Sequence, residues 1–154
     1  MSVVRDLLKN IYVFNQFTPK ELDRIAQVSE RVTYNAGNPI ITEGHKADAM
    51  YVVEHGTLRM LKSGEDEHIM GLLGSGAHFG ELPFLDGMPR ALSVEATEKT
   101  ILIVIPYDKL EQVLASDPTL AAKLYKEIAR YLSSRLRKVT TDLSFVRQKN
   151  LKHF

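Results

Sequence analysis

Phe79-Gly80-Glu81-Leu82-Pro83-Phe84-Leu85-Asp86-Gly87-Met88-Pro89-Arg90-Ala91-Leu92-Ser93-Val94 decides how this chain is read: a Gly-Glu-Leu turn stands nine residues before an arginine, inside a run of short predicted strands. Gly80 lets the backbone approach a ligand closely and opens a short helical turn whose free N–H groups can face an anion. Glu81 supplies a carboxylate that accepts hydrogen bonds from hydroxyls, and Arg90 supplies a planar fork that grips phosphate oxygens two at a time. Asp86-Gly87-Met88-Pro89 is the turn that folds Arg90 back toward Glu81, and Ala91 to Ala96 then alternates into a strand. Pro83 lacks an N–H, which a first helical turn tolerates because that donor has no partner there anyway. The pairing suits a small sugar phosphate. Without its flanks, the same Glu and Arg would more often be a surface ion pair.

Outward from this stretch, the texture of the chain sets the architecture. Val3 to Tyr12 has helical spacing, and Thr18-Pro19-Lys20-Glu21 gives an N-cap, a proline at the first helical position and an acidic first turn, so a helix follows to about Ser29. From Arg31 to Pro106 short β-branched or aromatic runs are cut by Gly37, Gly44, Gly56, Gly64, Gly71, Gly74, Gly76 and Gly87, and Ile101 to Ile105 is a continuous apolar strand. Pro106-Tyr107-Asp108 leads into a helix from Asp108 to Ala115. Asp117-Pro118 breaks it, and a last helix runs from Thr119 to Val146 or beyond. The expectation is an α+β, mainly β fold: an antiparallel β-barrel or jelly roll with N-terminal helices (1–30), a β-roll carrying the cassette 79–94 (31–106), and C-terminal helices (107–154), all one domain.

Composition bounds the chemistry. With 154 residues, 44% hydrophobic and 25% charged, the chain suits one domain with a real core. No N-terminal apolar signal and no apolar run of about 18 residues is present, so a cytoplasmic protein without a membrane partner is expected. Cysteine is absent, which removes disulfides, thiolate catalysis and cysteine-held zinc or iron–sulfur clusters. A metal-dependent enzyme on a small β barrel needs clustered imidazoles, and His45, His55, His68, His78 and His153 lack that spacing. His78, beside the cassette, reads as structural. No Ser-His-Asp order or paired carboxylates can be picked out, so no catalytic residue is assigned and no enzyme is expected. Residues 123–154 hold nine Lys or Arg against Glu127 and Asp142, a local +7 in a chain of net +1. These read first as the solvated flanks of a long helix, with nucleic acid or an acidic partner as the other reading.

The cassette resembles the phosphate-binding cassette of the cyclic nucleotide-binding domain family, of the cAMP receptor protein and protein kinase A regulatory-subunit type. Pro39-Ile40-Ile41-Thr42-Glu43-Gly44 with Asp48, and Met50 to Met60 read as the family's strand-glycine-strand hairpin, extend the resemblance over roughly residues 5 to 146. It implies that Gly80, Leu82 and Ala91 give backbone N–H or close approach to a cyclic phosphate, that Arg90 pairs with it, and that Glu81 holds the ribose 2′-hydroxyl, with Phe79 and Leu92 bordering the site. Leu92 is bulkier than the family's usual residue. Relatives that prefer cyclic GMP tend to carry Thr or Ser where Ala91 stands, so cyclic AMP is the expected ligand and cyclic GMP the lesser one.

The last helix carries Tyr125, Ile128, Leu132, Leu136, Val139, Leu143 and Val146 at gaps of three or four, the spacing of a coiled-coil seam. A homodimer through this helix is one expectation; a lid packed on the β core is the other, and both can hold. The resemblance implies a switch in which Phe84 and Leu85 repack against the hinge before Thr119 and the helix swings over the base, with Arg135 or Leu136 covering the purine. No recognition helix follows before Phe154, so direct DNA binding is not expected, and the output would pass to an unidentified effector protein. The alternatives are the same fold with another small effector, or a vestigial pocket serving as a protein-interaction module.

Overall fold

Two strands carry continuous apolar runs, Ala49 to Val53 and Ile101 to Ile105, because both of their faces are covered there. In the computed structural model, which describes residues 2–64 and 68–151, these are β3 (Ala49–His55) and β8 (Thr100–Pro106). Side chains alternate across a strand. Met50 and Val52 of β3 and Ile103 and Ile105 of β8 therefore face a layer of helices, while Ala49, Tyr51, Val53 and Leu102 face a second sheet. β8 is flanked by β1 (Glu30–Tyr34) and β3, and β3 by β6 (His78–Phe79), giving an antiparallel sheet of order β1-β8-β3-β6. The second sheet, also antiparallel, has the order β2-β7-β4-β5, from β2 (Pro39–Ile41), β4 (Leu58–Lys62), β5 (His68–Leu73) and β7 (Ser93–Ala96). Leu58, Val94 and Ala96 close the core between the sheets.

The helical layer comprises α1 (Ser2–Lys9), a 3-10 turn (Tyr12–Phe14), α2 (Pro19–Gln27), α4 (Tyr107–Ser116) and α5 (Pro118–Leu151); α3 (Glu81–Asp86) belongs to the cassette. α2 begins with the expected signals: Thr18 Oγ1 accepts from Glu21 N and the Glu21 carboxylate accepts from Thr18 N, a closed capping box. Burial works against the Glu21 charge and is outweighed by hydrogen bonds from Lys123 and Thr18, which leave its carboxyl below the ordinary value. The Lys123–Glu21 pair, 2.7 Å, ties α5 to α2, and Arg24–Asp117, 2.8 Å, ties α2 to the break between α4 and α5. Leu120, Leu124 and Ile128 are fully buried, each contributing about 2 kcal/mol of apolar burial, and seat only the first part of α5. Further along, Leu136, Val139 and Leu143 are exposed, and Val146 lies outside the described side chains, as His153 and Phe154 lie outside the described residues.

The β region is the expected jelly roll, and its two facing antiparallel sheets stay open. One expectation is corrected by topology. Met50 to Met60 is not a hairpin: β3 and β4 lie in different sheets and do not pair, so Gly56 turns the corner between sheets. Its φ is +104°, and a Cβ there would lie 2.8 Å from the Lys99 carbonyl and 2.5 Å from Thr100 Oγ1. The β2–β3 connection is fastened to the end of β4 by Glu43, whose carboxylate takes Lys62 Nζ at 2.6 Å and the Ser63 N–H and hydroxyl at 3.0 and 2.6 Å.

Two measurements test this packing. Gly56→Ala is expected to cost about 3 kcal/mol, strain and crowding together, read as a lower urea midpoint with an unchanged slope. The hydrogen bonds from Lys62 and then Ser63 lower the Glu43 carboxyl from its ordinary 4.5 to about 2. A carboxyl depressed on folding adds stability above its unfolded value and loses it as pH falls. Melting temperatures should therefore drop between pH 4.5 and about 2, and Glu43→Gln should flatten that part of the profile; an equally steep profile in the variant would rule Glu43 out as a cause.

Candidate functional site

The cassette is built on a glycine that no other residue can replace. Gly80, the N-cap of α3, has φ +98°, and a Cβ there would stand 2.9 Å from the Ala49 carbonyl oxygen and 3.1 Å from Arg90 Nη1. α3 closes at Gly87, whose N–H reaches the Pro83 carbonyl at 2.8 Å, and the Asp86 carboxylate accepts from Met88 N at 2.9 Å. The expected turn is thus present, and it returns the chain to Arg90. There the backbone pairs with the 44–45 turn: Arg90 N donates to the His45 carbonyl at 2.9 Å, and Gly44 N donates to the Arg90 carbonyl at 2.8 Å.

The Arg90 side chain is only 4% exposed. Its Nη2 donates to the Ala49 carbonyl at 2.8 Å, Nη1 reaches the Tyr107 hydroxyl at 3.4 Å, and the guanidinium lies 5.7 and 5.9 Å from the ring centres of Tyr51 and Tyr107. Its single carboxylate neighbour among the described residues is Asp48, 3.8 Å away on a side chain 87% exposed. That is an ion pair largely screened by water, with a separation too long for a hydrogen bond. The guanidinium also lines a cavity of about 210 Å³ with Ile40, Ile41, Thr42, His45, Lys46, Asp48 and Tyr51. Arg90 therefore retains capacity for an anion entering on this side.

Glu81 faces the other way. It is 7% exposed and does not line that cavity; its carboxylate lies 3.3 Å from Nδ1 of His78, itself buried, with Nε2 lacking a partner among the described residues. The His78 ring packs on Tyr131 of α5 at 4.4 Å, and Tyr131 meets Tyr12 edge-on at 5.4 Å and the Arg135 guanidinium at 6.0 Å. Burial raises the Tyr131 phenol, the Glu81 charge adds to that, and Arg135 opposes it. Tyr107 sits between the two halves. Burial pushes its phenol up to about 12, with Glu81 reinforcing and Arg90 opposing, so it stays protonated and donates to the Gly80 carbonyl.

The remaining residues singled out from the sequence take varied places. The Phe79 side chain stacks on Tyr51 in the core between the sheets, ring centres 4.8 Å apart. Leu82 is exposed, Leu92 half-buried, and Ala91 exposed with its carbonyl accepting from Lys62 Nζ at 3.0 Å. Arg135 reaches the site through Tyr131, whereas Leu136 is 66% exposed on α5. Phe84 is buried against Tyr107 and Tyr125, which joins the cassette to α5, and Leu85 is exposed. Sequence reasoning missed Tyr107 and Tyr131. Their places follow from strand register and helix packing, and the one local signal was Tyr107 at the junction of an apolar strand and a helix.

Known proteins resemble this chain in sequence and in fold. The family model described as "Cyclic nucleotide-binding domain" matches residues 31–117. The chain is 30% identical over 141 residues to the cyclic AMP receptor protein of Thermus thermophilus, covering 90% of this chain and 63% of that protein. It superposes on the crystal structure of the Thermus thermophilus catabolite activator protein with a TM-score of 0.75 at 29% identity, over 87% of this chain and 62% of that one. On the regulatory domain of Toxoplasma gondii protein kinase A, solved with cAMP, the TM-score is 0.68 at 25% identity, over 73% of this chain and 43% of that one. The chain thus spans less than two thirds of each of these relatives. With a jelly roll, a Gly-Glu-Leu cassette and its arginine in place, and a family model that matches more than half of its residues, this chain belongs to the cyclic nucleotide-binding domain family.

Proposed function

We propose that the protein is a cyclic AMP sensor that signals through α5. The observation that carries this reading is the buried Arg90 guanidinium, whose one carboxylate neighbour is the water-screened Asp48 and which borders a cavity. A cyclic phosphate entering there replaces a weak pair with charge-assisted hydrogen bonds worth about 1.5 to 3 kcal/mol each. Glu81 then takes the ribose hydroxyl. Ala91, without the hydroxyl that would favour guanine, supports adenine as the base.

Taking the ribose requires Glu81 to leave His78, and His78 is packed on Tyr131 of α5. Breaking that contact loosens α5 at the point where its fully buried residues end, while Phe84, stacked near Tyr125, carries the cassette's movement to the same helix. Arg135, already beside Tyr131, is the candidate to close over the base. A ligand that binds the closed arrangement about 100-fold better shifts the equilibrium by about 2.7 kcal/mol, enough to alter access for an effector protein. Leu136, Val139 and Leu143, exposed at spacings of three and four, support a homodimer along the outer half of α5. No helix among the described residues is long and apolar enough to cross a membrane, which is consistent with a cytoplasmic sensor.

Calorimetric titration of the nucleotide-free protein is expected to show saturable cyclic AMP binding, weaker cyclic GMP binding, and a loss of at least about 100-fold in Arg90→Ala. Arg90→Lys keeps the charge without the fork and should fall between. Ala91→Thr should move the preference toward cyclic GMP. Silence with both nucleotides from a folded wild type would leave the alternatives, another effector or a vestigial pocket. The dimer is tested separately by sedimentation: Leu136→Glu with Leu143→Glu should give a monomer, and a wild type that is monomeric at high concentration would remove the proposal.

A further inference from the structure

A second site lies on a different face of α5. A groove of about 460 Å³ runs between the 3-10 turn and α5, lined by Tyr12, Lys126, Arg130, Ser133, Ser134 and Arg137. Three features bear on what it can bind. Neither Lys126 nor Arg137 takes part in an ion pair among the described residues, and Arg130 has only Glu127, at 3.3 Å, the one carboxylate beside the cluster. The hydroxyls of Ser133 and Ser134 have no hydrogen-bond partner among the described residues, so they are available as donors. Tyr12, held edge-on by Tyr131, presents an aromatic surface that is 38% exposed.

These groups form a sequence along the helix. At 1.5 Å per residue, Lys126 to Arg137 spans about 16 Å, with cations at both ends and in the middle and hydroxyls between them. At 100° per residue this face lies about 130° from the apolar stripe of Leu136, Val139 and Leu143, so pairing of α5 along that stripe leaves the groove open. The cations supply charge-assisted hydrogen bonds to phosphate oxygens, and the tyrosine ring supplies a stacking surface for a base.

We propose that this groove binds a free nucleoside di- or triphosphate, with the phosphates held by Lys126, Arg130 and Arg137 and the base against Tyr12. The site shares no residue with the cavity at Arg90, so its occupancy does not rest on the cyclic nucleotide reading. A free nucleotide fits better than a strand of nucleic acid because the groove lining offers one aromatic ring, Tyr12, a platform for one base rather than for a succession of them.

The test is calorimetric titration of the whole chain with ATP, with inorganic triphosphate, and with a single-stranded oligonucleotide of about a dozen nucleotides. Saturable one-to-one binding of ATP, weakened at least about tenfold in Lys126→Ser with Arg137→Ser and unchanged in Arg90→Ala, is the expected result. Tyr12→Leu should weaken ATP but leave triphosphate untouched; matched thermal melts of all variants exclude unfolding as the cause. Three results would overturn the proposal: no saturable ATP binding by the folded wild type, ATP binding lost in Arg90→Ala but kept in the groove variant, or binding by the oligonucleotide alone.

Discussion

The structure around the cassette depends on one hydrogen bond, from the buried Arg90 guanidinium to the carbonyl of Ala49. Its origin is a strand that stops early. β6 pairs with β3 through Tyr51 with Phe79 and Val52 with His78, and continuing that register would set Ala49 opposite Glu81. Glu81 has already entered α3, so the Ala49 carbonyl has no ladder partner on that side. A buried carbonyl must be satisfied, and a buried guanidinium left without partners costs several kcal/mol. Each solves the other's deficit. Their approach leaves no room for a side chain at residue 80, which is why glycine stands there and why Tyr107 can reach its carbonyl.

The same short strand divides the cassette into two sides. Phe79 and His78 point to opposite faces of the sheet, as neighbours in a strand must. Phe79 joins Tyr51 in the core between the sheets, the side on which Arg90 lines its cavity. His78 turns to the helical layer and holds Glu81 there beneath Tyr131. The two charged residues, nine apart in sequence, thus reach different compartments, and Tyr107 feels both. A ligand that engaged both would have to draw Glu81 across, and the proposed switch rests on that movement.

Much of this fold was legible locally. The Thr18–Glu21 capping box, the Asp117-Pro118 break and the apolar Ile101–Ile105 run act over a few residues, and each appears where the sequence puts it. The turn from Asp86 to Pro89 was legible for the same reason. What the sequence hid depends on partners far along the chain. Gly56 announces a tight turn, but whether it joins paired strands or turns a corner between sheets is decided by β7 and β8, which take β4 and β3 as neighbours. Likewise, His78 near the cassette carries no sign of Tyr131, 53 positions on, which reaches it only because Leu120, Leu124 and Ile128 seat α5 against the sheet.

That seating explains why α5 is suited to report on the cassette. The helix is 34 residues long, about 51 Å, yet among its described side chains the last fully buried one is Ile128. Propensity alone leaves a helix of that outer length marginal in water, so the orientation of everything beyond is set by the last contacts that hold it to the domain. Those contacts are half-buried Tyr131 and Leu132, and Tyr131 rests on the histidine that holds Glu81. A change of about 1 kcal/mol at that junction, the net worth of one hydrogen bond, therefore acts on a lever of some twenty residues rather than on a packed core. The proposed coupling needs no long relay through the protein, because the Glu81 carboxylate and the root of the lever are separated by a single imidazole ring.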